Sequence, residues 1–265
     1  FVFFVAAMLY KNTSLKQIML TSALAGVHVL MLVVEKDLGA AVIFFVTYIV
    51  MLYVATRRAM WPLMGLAAGA GASVVAYHLF DHVKRRVVAW KDPWGNYNDA
   101  GYQIAQSLFA IGTGGWFGMG LYRGMPEKIP VVDKDFVFAA ISEEMGALYA
   151  LCVLFLCLGC YMQFMLIAMK MQAMFYKLIA FGLGSVYITQ VFLTIGGATK
   201  FIPMTGVTLP LVSYGGSSVM CTILMLAIIQ GLYILREDED EQIETQRKET
   251  IERRGKRATP ERKRN

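Results

Sequence analysis

Residues 38–56 read LGAAVIFFVTYIVMLYVAT, a run without a single charged side chain that ends at Arg57 and Arg58. A transmembrane helix needs about 20 apolar residues, because the hydrocarbon core of a bilayer is about 30 Å thick. The run is therefore long enough to cross a membrane as a helix. It is also too long and too continuous for a strand of a membrane β-barrel.

Apolar runs of similar length recur on both sides of this one. They cover residues 15–34, 61–80, 136–168, 178–198 and 214–235, and residues 1–10 form the end of a further apolar helix. The chain is 57% hydrophobic and 17% charged, whereas soluble domains are about 45–50% apolar and 25% charged. The sequence therefore predicts an all-α fold, a polytopic transmembrane helical bundle with about seven membrane segments.

Two stretches interrupt the apolar pattern and define the predicted domains. Residues 81–142 form one large polar loop within a membrane domain of residues 1–235, and residues 236–265 form a tail dense in both charge signs. Such a tail lacks core-forming residues and is predicted to be disordered. If the spans alternate, the lysines and arginines of the short loops and of the tail share one side, which is the cytoplasmic side by the positive-inside rule. The loop 81–142 is then extracytoplasmic.

The large loop carries its own cations, which suit the binding of an anion. Residues 101–111 place apolar side chains on one face at helical spacing and predict a short helix at the membrane interface. Residues 112–120 contain five glycines, which permit tight turns and close backbone approach. The four cysteines all lie in apolar runs, so neither disulfides nor a metal site is indicated.

Asp135 stands directly before the apolar run that begins at Phe136. Two roles are open for it and are compatible: a helix N-cap or a general base in a partly dehydrated pocket. Glu143 and Glu144 follow in the first turns of the same helix, where the helix dipole favours carboxylates and where acids near a membrane are often functional. The sequence does not separate these roles.

A second polar cluster, residues 199–218, is rich in Gly, Pro, Ser and Thr. Irregular backbone at membrane depth is tolerated only where it is buried in protein or lines a wet cavity. We therefore expect this cluster to meet the loop 81–142 over one outward cavity suited to an anionic amphiphile. On the residues alone, an enzyme and a transporter are equally open, and nucleic acid is not expected as a partner.

Several short motifs carry a resemblance to a known family. They are Asp37-Leu38-Gly39, Asp92-Pro93-Trp94, Gly101-Tyr102-Gln103 with Gln106-Ser107, the glycines of residues 112–120, Asp135-Phe136 followed by Glu143-Glu144-Met145-Gly146, Pro203-Met204-Thr205-Gly206, Leu209-Pro210 and Ser213-Tyr214-Gly215-Gly216-Ser217-Ser218. In order and spacing they resemble the SEDS family of bacterial wall synthases, the RodA/FtsW/SpoVE group. The resemblance covers almost the whole chain before the tail.

The resemblance implies a peptidoglycan glycosyltransferase of the bacterial cytoplasmic membrane that polymerises lipid II for cell shape, division or sporulation. Its partner would be a class B penicillin-binding protein, a transpeptidase, within a shared environment of membrane lipid. The family has ten transmembrane helices, of which this chain would hold helices four to ten. The first three helices and a Ser-Glu-x-x-Lys stretch of the family would then be missing, and the fragment itself could be inactive.

By the same resemblance, Asp135 corresponds to the acidic residue that is essential for polymerisation. It would remove a proton from the acceptor sugar in an inverting transfer, while cations stabilise the pyrophosphate leaving group. A divalent cation, Mg or Mn, could assist, but no metal ligands are assigned. The expected substrate-binding residues are Lys84, Arg85, Arg86, Gln103, Gln106, Ser107, Arg123, Glu144, Thr205, Ser213, Tyr214 and Ser217.

Two alternatives to the polymerase are considered. A lipid II flippase predicts polar groups along a path through the membrane, whereas the spans hold few charges away from the outer side. A non-catalytic scaffold that only positions the transpeptidase predicts that Asp135 is dispensable.

Overall fold

The structure, a computed structural model, describes the backbone of residues 1–258 and side chains as far as Asp238, with Thr245 beyond. Within these residues all regular structure is helical. The helices are α1 (Val2–Leu9), α2 (Leu15–Val34), α3 (Leu38–Thr56), α4 (Met60–Leu79), α5 (Asp81–Lys91), α6 (Tyr102–Gly114), α7 (Val137–Lys170), α8 (Met174–Ala198) and α9 (Gly216–Ala258), with a single 3-10 turn at Pro126–Lys128.

Six of the described helices are long and apolar enough to cross a membrane: α2, α3, α4, α7, α8 and α9 as far as Asp238. The all-α multi-pass fold predicted from the sequence is confirmed. The limits of α2 and α3 agree with the apolar runs residue for residue. The seventh predicted segment is α1, which has 8 residues.

Helix α8 lies at the centre of the bundle and packs against α1, α3, α7 and α9. Small residues permit this close packing. A side chain added at Gly182 would collide with Val2 of α1 and Met51 of α3, and one added at Gly184 would collide with Met165 of α7. Helix α4 differs, because none of its residues is buried and it packs chiefly along α3.

The stretch 81–142 is more ordered than the loop expected from the sequence. The predicted short helix is present as α6, but α5 was not predicted and is an additional helix. The last six residues of the stretch already belong to α7. The expected N-cap role of Asp135 is not observed, because Phe136 occupies the N-cap of α7 and no side chain caps that helix.

Helix α7 is interrupted at Gly146, whose φ of 84° and ψ of 170° are not helical. A loop from the preceding segment enters the interruption. The N–H groups of Ala147 and Leu148 donate to the carbonyls of Gly115 and Trp116, 2.9 and 3.2 Å away. In return, the carbonyls of Glu143 and Glu144 accept from the N–H groups of Met119 and Gly120, at 2.9 and 3.0 Å. The loop thus replaces two hydrogen bonds of the α7 ladder.

Glycines make this insertion possible, because the two backbones approach too closely for a side chain. A Cβ atom at Gly118 would lie 2.2 Å from the carbonyl oxygen of Glu144, and one at Gly146 would lie 2.4 Å from the nitrogen of Gly118. Both glycines also have positive φ, which other residues adopt at a cost. The glycine cluster 112–120 and Gly146 therefore serve one structural purpose.

Helix α9 continues past its membrane-length portion to Ala258. The sequence favoured a disordered tail from Arg236, whereas the described backbone is helical up to Ala258. Residues 259–265 of that tail lie outside the described residues. The division into a membrane domain and a separate charged tail stays a prediction.

Candidate active site

Two polar segments that are distant in sequence are joined by hydrogen bonds, as the sequence predicted. The Ser213 hydroxyl donates to the carbonyl of Lys134 at 2.5 Å and accepts from the N–H of Leu209 at 2.8 Å. The N–H of Tyr214 donates to the carbonyl of Asp133 at 2.8 Å. These bonds fix the residues directly before α7 against the segment that connects α8 to α9.

The connecting segment is in turn fixed to α8 and to the start of α9. Thr194 and Gln190, one turn apart on α8, donate to the carbonyls of Val207 and Thr208, both at 2.9 Å. The hydroxyl of Thr208 donates to that of Ser218 in α9 at 2.8 Å. Irregular backbone at the end of a helical bundle is thereby supplied with hydrogen-bond partners from the bundle itself.

Asp135 lines a narrow cleft that this arrangement creates, together with residues of α8 and of the segment 204–207. The cleft is too narrow to hold a water-sized sphere in this structure, although the space between its lining atoms, its solvent-open part included, amounts to about 170 Å³. Gly206 faces the carboxylate, since a Cβ atom there would lie 3.8 Å from its Oδ2. The Oγ1 of Thr205, a second cleft residue, is buried and has no hydrogen-bond partner among the residues that the structure describes.

The Asp135 side chain is partly buried. Within the described residues its carboxylate makes neither a hydrogen bond nor an ion pair. Burial raises the pKa of Asp135 above its ordinary value, the positive charges of Arg86 and Lys134 lower it, and Asp133 raises it. The desolvation effect prevails, so the pKa is raised and the carboxylate is a stronger base than an exposed aspartate.

The three adjacent cations of α5 that were expected to act together, Lys84, Arg85 and Arg86, are in different environments. Arg86 donates from Nη1 to the carbonyls of Met204 and Thr205, 3.3 and 2.9 Å away, directly beside Gly206. Arg85 forms an exposed ion pair with Asp99 at 2.9 Å, which contributes little to stability. Lys84 is exposed. Arg86 alone of the three therefore contacts the backbone of the cleft.

One turn after Arg86, the indole N–H of Trp90 donates to the carbonyl of Lys200 at 3.0 Å. The two side chains together attach α5 to the segment 200–205. Trp90 was not among the residues expected from the sequence. Its helical spacing from Arg86 on a basic, amphipathic helix is the signal that could have indicated it.

The expected residues of α6 have structural partners rather than a place in the cleft. Ser107 is buried and donates to the carbonyl of Ala198 at 2.7 Å, which joins α6 to the end of α8. Gln106 donates to the hydroxyl of Tyr97 at 2.7 Å. Gln103 is partly buried with no hydrogen bond from its side chain in the described part of the chain. Tyr214 and Ser217, from the other segment, are exposed.

Arg123 belongs instead to the loop inserted into α7, and Glu144 is the α7 residue that contacts this loop. The Oε1 of Glu144 accepts from the N–H of Tyr122 at 3.1 Å, and Arg123 is exposed. Glu143, which was not included among the substrate-binding residues, is 7% exposed and accepts from the N–H of Met125 at 3.1 Å. Its Oε2 is buried, with no hydrogen-bond partner in the described part of the chain.

In the part of the chain that the structure describes, no three His, Cys, Asp or Glu side chains are grouped so that they could hold a metal ion. The structure therefore assigns no residues to the divalent cation considered above, and its participation stays a prediction.

These features define a multi-pass helical membrane protein in which polar segments meet around a partly buried carboxylate at one end of the bundle. Comparison with known families is decisive for its classification, because the family model FTSW_RODA_SPOVE, described as "Cell cycle protein", matches residues 1–237. The chain belongs to this family, which is the SEDS family indicated by the sequence motifs.

Relatives in the family carry two names. The chain is 41% identical over 198 residues to the peptidoglycan glycosyltransferase RodA of Mycobacterium tuberculosis (strain H37Rv), covering 75% of this chain and 42% of the relative. It is 39% identical over 203 residues to RodA of Mycobacterium leprae, covering 77% and 44%. It is 37% identical over 204 residues to the probable peptidoglycan glycosyltransferase FtsW of Aliivibrio salmonicida, covering 75% and 51%. The chain thus spans about two fifths to one half of these relatives.

A solved structure shares the fold. It was described as showing the structural coordination of polymerization and crosslinking by a peptidoglycan synthase complex. One chain of it superposes with a TM-score of 0.72 at 24% sequence identity, covering 89% of this chain and 67% of that chain. At this identity the similarity supports the helical architecture and no further property.

Proposed function

We propose that this chain forms part of a peptidoglycan glycosyltransferase that polymerises lipid II, with Asp135 as the catalytic base. The observation that carries the proposal is the environment of Asp135. Its carboxylate is partly buried, without a hydrogen-bond partner among the described residues, and close to Arg86 in a cleft. A carboxylate that serves only to stabilise the structure would be expected to accept hydrogen bonds. The names of relatives at 37–41% identity supply the reaction class.

The proposed chemistry is a single displacement. The Asp135 carboxylate takes the proton of the C4 hydroxyl of the acceptor GlcNAc. The acceptor oxygen forms a bond to the anomeric carbon of the donor MurNAc, while the bond from that carbon to the pyrophosphate oxygen breaks. Undecaprenyl pyrophosphate leaves with the electron pair, and the configuration at the anomeric carbon is inverted.

Arg86 is the cation best placed to act near Asp135, because its side chain is attached to the backbone of Met204 and Thr205. A fixed guanidinium stabilises developing negative charge without reorganisation. Lys84 and Arg123 are exposed and would have to contact the leaving pyrophosphate from the solvent side. We assign these two only to the binding of its charge.

We further propose that the site faces the outside of the cytoplasmic membrane and that the enzyme works with a class B penicillin-binding protein. The outside location of the site is supported by the lysines and arginines of the short loops at the other end of the bundle. By the positive-inside rule, that other end faces the cytoplasm. The second is supported by the family membership, in which wall polymerases and transpeptidases act together.

The test uses the natural protein in full, reconstituted with its transpeptidase partner and purified lipid II. We expect Asp135→Asn to abolish the formation of glycan strands, because the amide cannot accept the proton, while the binding of lipid II is retained. Asp133→Asn is the matched control, because that exposed residue lies two positions away outside the cleft. At a pH above the pKa of Asp135, where the carboxylate is deprotonated whether or not Asp133 is charged, it should polymerise lipid II as the wild type does.

Other outcomes would favour the alternatives. If Asp135→Asn polymerises lipid II at the wild-type rate, the role of Asp135 as a base is wrong. If no variant of the natural protein polymerises lipid II but the wild type moves it across vesicle membranes, the flippase hypothesis is supported. If the wild type does neither and only stimulates its partner, the scaffold hypothesis is supported.

A further inference from the structure

The loop inserted into α7 presents large apolar side chains to its surroundings. Over residues 115–125, defined here as the inserted loop, the exposed ones are Trp116 (65%), Phe117 (84%), Met119 (45%), Leu121 (62%), Tyr122 (95%) and Met125 (62%). The same residues include a single charge, Arg123, and no acid. A contiguous apolar surface of this kind on a segment without a regular secondary structure indicates an interaction site.

Much of the backbone of the inserted loop is supplied with hydrogen bonds despite its irregular form. The carbonyls of Gly115 and Trp116 and the N–H groups of Met119 and Gly120 pair with α7, and the N–H of Gly118 pairs with the carbonyl of Gly114 at 2.8 Å. Glu144 supplies an acceptor for the N–H of Tyr122, and Glu143 supplies one for that of Met125. Such pairing is required wherever water is excluded from the backbone, and therefore in lipid, which offers no hydrogen bonds to it.

The position of the inserted loop along α7 corresponds to a membrane boundary. The part of α7 beyond Gly146, residues 147–170, is about 36 Å long at 1.5 Å per residue, which is enough to cross a hydrocarbon core of about 30 Å. The interruption therefore lies at one end of the span. Leu148 and Tyr149 follow it and are exposed, so the apolar surface of the loop continues onto the surface of the spanning helix.

We propose that the inserted loop is embedded in the lipid interface of the membrane, with Trp116, Phe117 and Tyr122 as its contacts. Tryptophan and tyrosine prefer the boundary between headgroups and acyl chains. The loop thereby anchors the interrupted end of α7 at a fixed depth. This inference depends on α7 crossing a membrane and does not depend on the proposed glycosyl transfer.

The test measures depth with spin labels in the natural protein, reconstituted in nanodiscs of phosphatidylethanolamine and phosphatidylglycerol. All native cysteines, here Cys152, Cys157, Cys160 and Cys221, are first replaced by alanine. A label is then placed by Phe117→Cys or, as a second position, by Tyr122→Cys. Asp133→Cys provides the matched control, because that side chain is exposed in the polar segment before α7. Collision with oxygen and with a water-soluble nickel chelate is measured by power saturation.

We expect the labels at 117 and 122 to collide more with oxygen than with the nickel chelate, as for lipid-embedded sites, and the label at 133 to show the reverse. Equal access of the chelate to positions 117, 122 and 133 would overturn the proposal. The proposal would also be overturned if the chelate reaches positions 117 and 122 and this access is lost only when the transpeptidase partner is added. That result would assign the surface to a protein contact.

Discussion

At the scale of single residues, the environment of Asp135 is set by side chains far away in the sequence. Burial beside Gly206 raises its pKa, and the charge of Arg86 on α5 opposes that effect. Arg86 is held by two backbone carbonyls rather than by the carboxylate. The carboxylate therefore remains unpaired within the described residues and retains its capacity to accept a proton, which is the requirement for a general base.

The balance of these effects predicts the pH dependence of the reaction. A base is active when deprotonated, so the rate should fall at acid pH below the raised pKa of Asp135. Arg86→Gln removes a charge that lowers this pKa, so the pKa rises further and the acidic limb of kcat/KM moves to higher pH. Arg86→Lys keeps the charge and should leave the limb near its wild-type position. An acidic limb at the same pH in Arg86→Gln would show that it does not report Asp135.

Ser213 and Ser217 belong to one motif but should differ in their contribution to stability. Ser213 is 4% exposed and makes two hydrogen bonds, so Ser213→Ala leaves the N–H of Leu209 and the carbonyl of Lys134 unpaired. We expect a loss of about 1–3 kcal/mol. Ser217 is exposed, and Ser217→Ala should change stability by less than about 0.5 kcal/mol. Thermal unfolding of the two variants in detergent distinguishes these outcomes, and equal midpoints would contradict the assignment.

At the scale of elements, the exchange of hydrogen bonds between α7 and the inserted loop is the main departure from regular structure. An interruption in a spanning helix leaves polar backbone groups that must find partners. Here the partners come from residues 115–120. Gly118 and Gly146 are far apart in sequence, and most of the chain between them is not regular helix. The fold of the polar end therefore depends on the close contact that these glycines allow.

The prediction at this scale compares two glycines of the same cluster. Gly118 has φ +77°, and an added Cβ would collide with the carbonyl of Glu144, so Gly118→Ala should lower stability by more than about 1–2 kcal/mol. Gly112 lies in α6, and a Cβ there would meet nothing within 4 Å. Gly112→Ala should therefore be neutral or stabilising by up to about 1 kcal/mol. Similar melting temperatures for the two variants would argue against the insertion.

The sequence indicated the spans for an identifiable reason. Apolar runs such as 38–56, bounded by charges, have only one stable form in a membrane, so α2 and α3 could be predicted to the residue. Helix α5 was missed because eleven residues with four lysines and arginines resemble a solvated loop, unless the spacing of Arg86 and Trp90 is noticed. The role of Gly118 depends on contacts with Glu144 and Gly146. These residues are distant in sequence, so no local sequence pattern predicts the contacts.

The expected cluster of cations illustrates a second limit. Lys84, Arg85 and Arg86 are adjacent in sequence, which suggests a single anion clamp. Adjacent residues on a helix point in different directions, and the structure places Arg86 against residues 204–205 and Arg85 against Asp99. Their different roles become visible only when it is known which face of α5 packs against the rest of the protein.

At the scale of the whole molecule, the polar segments of the chain gather at one end of the bundle. Helix α5, the residues directly before α7 and the segment between α8 and α9 are joined by hydrogen bonds there. The short loops with lysine and arginine connect the helices at the other end. This asymmetry is the reason for placing the site outside the cytoplasmic membrane.

The orientation can be measured with cysteines and a reagent that does not cross membranes. In intact cells expressing the natural protein without its native cysteines, Asp133→Cys should react with an impermeant maleimide added from outside. Arg58→Cys, which is exposed in the short loop between α3 and α4, should react only after the membrane is permeabilised. The opposite pattern would reverse the orientation and remove the proposed site from the outer side.

The most direct measurement of the central claim is a structure of the natural protein in full, carrying Asp135→Asn, with lipid II bound at the acceptor and donor positions. The account predicts that the side chain at position 135 lies within about 2.6–3.2 Å of the C4 hydroxyl of the acceptor sugar, in the cleft beside Gly206. An acceptor hydroxyl beyond the reach of that side chain and of a bridging water would contradict the account.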